Sequence, residues 1–125
     1  MIARFFEHYR LAIREARFIR VSLLLAASLN LLNWILVFWF VIPRLATDPF
    51  FALHYTIYFG VDRIGPPWGL ARLPALGTLI FAVNLITAIR SYVHDRLTSA
   101  FMMAATLLFQ ALLLFATFLT VLLNL

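Results

Sequence analysis

Three long apolar runs dominate the hydrophobic pattern of this chain, and the segments outside them carry all the charge. The runs cover residues 21–42, 73–89 and 97–125 and contain no ionisable side chain. A helix of about 20 apolar residues crosses the hydrocarbon core of a bilayer, and each run is long enough. The pattern therefore predicts an all-α integral membrane protein with three transmembrane helices. The short link 90–96 predicts that the second and third helices form an antiparallel pair.

The first twenty residues have a different periodicity, which predicts an amphipathic helix over 1–20. One side of the helical wheel carries Phe5, Phe6, Tyr9, Ala12, Ile13, Ala16 and Ile19, and the opposite side carries Arg4, Glu7, Arg10, Arg14 and Arg17. Arginines opposite buried aromatics suit a helix that lies on an anionic membrane surface. An arm that docks on a partner subunit has the same pattern and is the alternative.

Composition agrees with the membrane prediction, because 65% of the residues are hydrophobic and only 12% are charged. The net charge of +5 comes from arginine alone. Five arginines precede the first run, two lie in 90–96 and three lie in 43–72. The positive-inside rule then predicts a cytoplasmic amino terminus and a carboxyl terminus outside. We expect the lipid bilayer as a partner and no nucleic acid, since no exposed domain presents aromatics among the arginines.

The connector 43–72 is rich in aromatics, proline and glycine, and we expect a structured outer loop. From Leu53 to Val61 apolar and polar side chains alternate, which is the period of a strand with one apolar face. A lone strand leaves its backbone unpaired, so it pairs with neighbouring protomers, augments a partner's sheet, or is instead a short interfacial helix. We favour the interfacial segment slightly. Tyr55, Tyr58 and Trp68 would form an outer aromatic belt.

The stretch from Leu53 to Pro66, with the pattern LHYxIYFGxDxxGP, resembles the connector of a group of small three-span bacterial membrane proteins. The resemblance covers the connector and the entry to the second apolar run. It implies a bacterial inner-membrane protein. Because that group has no assigned activity, the resemblance implies no functional residues.

Polar residues inside the runs recur at steps of three and four, so that each predicted helix has one polar or small-residue stripe. The third run carries Ser99, Met103, Thr106, Gln110, Leu113, Thr117, Thr120 and Asn124; the first carries Ala26, Asn30, Asn33 and Val37; the second carries Gly77, Phe81, Asn84 and Ala88. We expect the asparagines and Gln110 to hydrogen-bond across a three-helix bundle, with Gly77 allowing close approach. The alternative is an oligomer in which the third stripe lines a pore.

Candidate chemistry is sparse. No acidic, basic or histidine residue lies inside the runs, which argues against an ion-coupled transporter. His8, His54 and His94 cannot meet on this topology, and cysteine is absent, so we expect no metal site and no cofactor. The pair formed by His54 and Asp62 is the one acid-base candidate. Lipid headgroups or an acidic partner could contact a cytoplasmic rim of Arg4, Arg10, Arg14, Arg17, Arg90 and Arg96.

These features predict a small structural or accessory subunit of a membrane assembly. It would act through helix packing and outer-loop contacts, on other membrane proteins or on copies of itself, and would not be an enzyme. A homo-oligomeric passive pore is the alternative, and a lipid-modifying enzyme is third.

Overall fold

The computed structural model describes residues 3, 6, 7, 10 and 16–125. Three long helices follow one another, which we label α1 (Arg17–Val41), α2 (Arg72–Ser91) and α3 (Arg96–Leu123). All three are long and apolar enough to cross a membrane, which confirms the three long apolar helices expected from the runs. The predicted amphipathic helix, with Arg4, His8 and Arg14, falls mostly outside the described residues. Ala16 is extended and α1 begins at Arg17, four residues before the predicted boundary.

Proline and aspartate residues set several of the helix ends. Pro43 has no N–H to continue α1, and the chain passes into a short 3-10 helix, Ile42–Arg44. Pro66 is extended and precedes a second 3-10 helix, Pro67–Ala71, which leads directly into α2. Asp95 accepts hydrogen bonds from the backbone N–H groups of Leu97 and Thr98 and so caps the start of α3.

The helices form an up-down-up bundle in which α3 packs on both α1 and α2. Two buried apolar clusters mark its ends. One contains Ile19, Ala88, Tyr92 and Met103 beside the α2–α3 turn, and we call this the turn end. The other contains Val37, Phe40, Val41, Phe51, Leu70 and Val121, and we call this the hairpin end.

The segment 51–65 corrects the all-α prediction, because it contains two antiparallel strands, β1 (Phe51–Thr56) and β2 (Gly60–Gly65). The expected single strand reverses after Thr56, where Gly60 adopts a positive φ of 69°. The backbone of β1 therefore pairs within its own chain, and the favoured interfacial helix is wrong. The register skips Leu53 on β1 and Asp62 on β2, so each strand carries an irregularity of the bulge type.

Candidate functional site: a polar helix core and the hairpin end

The polar stripe of α3 lies inside the protomer. Its buried members are Ser99, Met103, Thr106, Gln110 and Thr117, and Leu113, Thr120 and Asn124 are half-buried. The matching positions Ala26, Asn33 and Val37 of α1 and Gly77 and Ala88 of α2 are also buried. The structure therefore brings the three predicted stripes together within one chain.

Two amides and a glycine join all three helices at one level. Asn30 Nδ2 donates to Gln110 Oε1 at 3.2 Å and to the Pro74 carbonyl at 3.3 Å. Gln110 Nε2 donates to the Gly77 carbonyl at 2.7 Å. A methyl group at position 77 would lie 2.8 Å from Asn30 Nδ2 and 2.9 Å from Gln110 Oε1. We call Asn30, Gly77 and Gln110 the amide lock.

A second link between α1 and α2 lies beside the lock. Trp34 Nε1 donates to Thr78 Oγ1 at 3.0 Å. The Thr78 hydroxyl has two acceptors within reach, Asn30 Oδ1 at 3.0 Å and the Pro74 carbonyl at 2.9 Å. A buried or membrane-embedded indole N–H needs an acceptor, and this hydroxyl provides it. The Asn30 side chain thus contacts α2 and α3 through its nitrogen and α2 through its oxygen.

The hydroxyl groups of the stripe are mostly used within α3. Thr106, Thr117 and Thr120 donate to the carbonyls four residues earlier at 2.7, 2.9 and 2.8 Å. Ser99 instead donates to the Ala88 carbonyl at 2.7 Å and ties α3 to α2 at the turn end. Ser99, Thr106 and Thr117 are buried within the protomer, whereas Thr120 is half-buried.

Asn33 and Asn84, two further asparagines of the predicted stripes, behave differently from Asn30. Asn33 is fully buried, and neither polar atom of its side chain has a partner among the described residues. Asn84 is half-buried, and its side chain makes no hydrogen bond within the described part of the chain. Among the asparagines of the described helices, the expected cross-helix bonding is therefore observed at Asn30 alone.

The base of the hairpin is fixed to the bundle. Asn124, just after α3, accepts from the Ala52 N–H through Oδ1 and donates to the Ala52 carbonyl through Nδ2, both at 2.8 Å. The amide thus pairs with the free edge of β1 as another strand would. Phe51 is buried against Phe40, with ring centroids 5.5 Å apart. Side chain and backbone contacts together hold β1 on the ends of α1 and α3.

The tip of the hairpin is unprotected by any described residue. Ile57, Tyr58 and Phe59 form the connection between the strands and are 89%, 90% and 84% exposed. The predicted belt residues Tyr55 and Trp68 are also exposed at this end, together with Trp39 at 83%. The hairpin end is therefore a projecting surface rich in aromatic side chains.

The two residues of the acid-base candidate, His54 and Asp62, lie next to each other at the side of the hairpin. His54 Nδ1 and Asp62 Oδ1 lie 2.7 Å apart; His54 pairs with Arg63 in the register, and Asp62 is the unpaired residue next to it. Both side chains are substantially exposed. A hydrogen-bonded imidazole and carboxylate can accept and donate protons, but water reaches them freely. Within the described residues no group of three His, Cys, Asp or Glu side chains could hold a metal ion.

Positive charge gathers at the turn end, where Arg17, Arg20, Arg90 and Arg96 are exposed. Arg10 is also exposed, whereas Arg4 and Arg14 of the predicted rim lie outside the described residues. Asp95 is the carboxylate of the turn. The hydrogen bonds that it accepts from the Thr98 side chain and from the Thr98 and Leu97 backbone lower its pKa.

No family model, curated protein or solved structure matches this chain. The function must therefore be inferred from its own residues.

Three contacts of the site escaped sequence reasoning. Asn124 was expected to belong to a helix stripe, yet it binds the hairpin. Thr78 was not expected to matter, although an indole in an apolar run signals the need for an acceptor such as this hydroxyl. The Ser99 contact with Ala88 has no such signal, because it depends on the rotation of α3 about its axis.

Proposed function

We propose that this chain is an integral membrane protein that serves as a small accessory or structural subunit of a larger membrane assembly. It binds its partner through the hairpin end. The exposed apolar tip of a firmly attached hairpin is the observation that carries this proposal. Exposed apolar patches mark interaction sites, and a fixed hairpin loses little conformational freedom on binding.

The outward surfaces of the three helices support a location in the membrane. Leu24, Leu31, Leu79, Val83, Leu108 and Phe115 are among many large apolar side chains that are exposed on α1, α2 and α3. Lipid is the solvent that such surfaces require. The arginines of the turn end favour the cytoplasmic side for that end, and the hairpin end then lies outside. The proposed location in a bacterial inner membrane is supported only by the resemblance of the connector 43–72.

Among the roles considered, the contacts favour packing over conduction. A pore would need the α3 stripe at a water-filled lumen, but Gln110 is fully buried and bonded to Gly77. An enzyme acting on lipid would rely on His54 and Asp62, which form an exposed pair without a neighbouring nucleophile among their hydrogen-bond partners. The accessory role needs neither.

The test is photo-crosslinking in intact membranes from a photoreactive residue at position 58. We expect a discrete adduct with another membrane protein. The matched control is the same residue at position 79, where Leu79 is exposed on the side of α2, and we expect lipid adducts there. Lipid adducts alone at both positions would refute the accessory role, and adducts with copies of the chain alone would favour the homo-oligomer.

A further inference from the structure

Two adjoining cavities lie beside the hairpin, between β1 and the end of α3. The larger has a volume of about 650 Å³ and the smaller about 180 Å³. Leu53, His54 and Thr120 line both, so the two cavities share a wall. We call the combined space the hairpin groove. Its total size falls within the range of small-molecule sites, about 300–1,000 Å³.

The smaller cavity is the cationic part of the groove. Arg63 from β2 and Arg72 at the start of α2 both line it, next to His54. Neither arginine forms an ion pair with any other residue in the described part of the chain. The carboxylate of Asp62, the residue before Arg63, is paired with His54. Two arginines from different elements therefore line one cavity, and neither has an ion-pair partner in the described part of the chain.

The larger cavity is the apolar part of the groove. Leu119, Leu122 and Leu123 of α3 line it, together with Ala116 and Tyr55. These leucines lie on successive turns of one helix, so this wall runs along the axis of α3. A flexible hydrocarbon chain is the ligand that fits an apolar wall parallel to a membrane-spanning helix.

The order of the two parts matches the order of groups in a phospholipid. The cationic part is at the hairpin end, at the level of the exposed aromatic residue Trp68, and the apolar part extends along α3. Aromatic side chains of this kind gather at the headgroup region of a bilayer. Guanidinium groups bind phosphate oxygens with fixed, often bidentate geometry.

We propose that the hairpin groove binds an anionic phospholipid, with its phosphate between Arg63 and Arg72 and an acyl chain against Leu119 and Leu123. The inference rests on the membrane location in the proposed function. It is separate from the arginine-rich surface of the turn end, which lies at the opposite end of the bundle. The bound lipid would fill the space between hairpin and helix and brace the hairpin from the side.

The experiment is native mass spectrometry of the full chain released from vesicles that contain equal amounts of phosphatidylglycerol and phosphatidylethanolamine. We expect the wild type to retain phosphatidylglycerol selectively. The double variant Arg63→Gln, Arg72→Gln should retain roughly tenfold less. Arg44→Gln is the matched control, because Arg44 lies at the same end but pairs with Asp48 at 3.8 Å and does not line the groove. It should retain lipid as the wild type does.

A second variant tests the apolar part. Leu119→Trp fills the groove without changing charge, and it should also reduce retention of phosphatidylglycerol. Excess inorganic phosphate should not displace the lipid, since free phosphate lacks an acyl chain. Equal retention by wild type and all variants, equal retention of both lipids, or displacement by phosphate would overturn the proposal.

The outcome can be separated from that of the proposed function. Selective lipid retention without a protein adduct from position 58 would refute the accessory role and leave the lipid site standing. A protein adduct from position 58 without selective lipid retention would support the accessory role and refute the lipid site. If the Arg63 and Arg72 double variant does not fold, the single variant Arg63→Gln, on an exposed strand position, carries the same prediction with a smaller loss.

Discussion

Single residues in the helix core determine how closely the three helices and their side-chain amides pack against one another. Gly77 is the clearest case, since the space that its Cβ would occupy is taken by the side-chain amides of Asn30 and Gln110. Such a position tolerates neither a larger residue nor a shift of its neighbours. The same core contains Asn33, which is equally buried but has no partner among the described residues.

Gly77→Ala should therefore destabilise the bundle. The added methyl group would force the amides of Asn30 and Gln110 apart, and overpacking of this kind costs about 1–3 kcal/mol. Thermal unfolding in detergent measures the effect. Ala82→Val, which adds volume on the exposed side of α2, is the control and should change the unfolding temperature little. An unchanged unfolding temperature for Gly77→Ala would contradict the close approach at the lock.

Asn30→Ala and Asn33→Ala should differ, although both remove an asparagine amide from α1. The first removes the bonds to Gln110 and Thr78 and should lower stability by about 0.6–1.7 kcal/mol, which are the average and the largest values for a hydrogen bond between membrane helices. The second removes a buried amide with no partner among the described residues, so it should cost less or be stabilising. Thermal unfolding of the two variants in detergent measures the difference. A larger loss of stability for Asn33→Ala than for Asn30→Ala would contradict the hydrogen bonds assigned to Asn30.

Asp95 should make the folded chain less stable at acid pH. Its pKa is lowered in the folded chain, so its contribution is present at neutral pH and is lost as the pH falls through the folded pKa. Asn caps helices without titrating. We expect the stability difference between wild type and Asp95→Asn to shrink between neutral pH and about pH 3. A difference that stays constant over this range would exclude the charged cap.

At the scale of elements, sequence pattern predicted the helices but not the hairpin. Apolar runs without charge leave a helix as the one segment that satisfies its own backbone in lipid, so three helices followed from composition and length. Spacing also placed Asn30, Gly77 and Gln110 on stripes. Which of them meet depends on the rotation of packed helices, and spacing does not fix that.

The hairpin was missed for a local reason. β1 shows the period of a strand, whereas β2 contains Val61, Asp62 and Arg63 with no clear alternation, and all three are exposed. The turn depends on Gly60, whose positive φ is one of several options for a glycine in a connector. A strand whose partner is not recognised appears unpaired, and this led to the incorrect preference for an interfacial helix.

Asn124→Leu should loosen the hairpin while leaving the helices in place. The change removes both hydrogen bonds to Ala52, each worth about 0.5–1.5 kcal/mol. Hydrogen exchange should become roughly tenfold faster in β1, which corresponds to about 1.4 kcal/mol. Asn84→Leu, which loses no side-chain hydrogen bond within the described residues, is the control. Equal exchange in β1 for both variants would show that Asn124 does not hold the hairpin.

At the scale of the whole molecule, the two ends of the bundle differ in character. The turn end carries four exposed arginines on α1, α2 and α3, and the hairpin end carries the aromatic tip. Between them, Asn30, Gln110, Trp34, Thr78 and Ser99 join the helices by hydrogen bonds, and the threonines of the α3 stripe bond to their own helix. The surfaces left for a partner are thus the apolar helix sides and the hairpin end, which is the basis of the accessory role.

The most direct test of that role is the mass and composition of the complex released from its native membrane in mild detergent. We predict larger, unrelated chains at a fixed ratio to this chain, and loss of those chains when Tyr58 and Phe59 are both replaced by serine. Recovery of the 14.4 kDa chain alone would contradict the account. A ring of identical copies would also contradict it and would favour the homo-oligomeric pore.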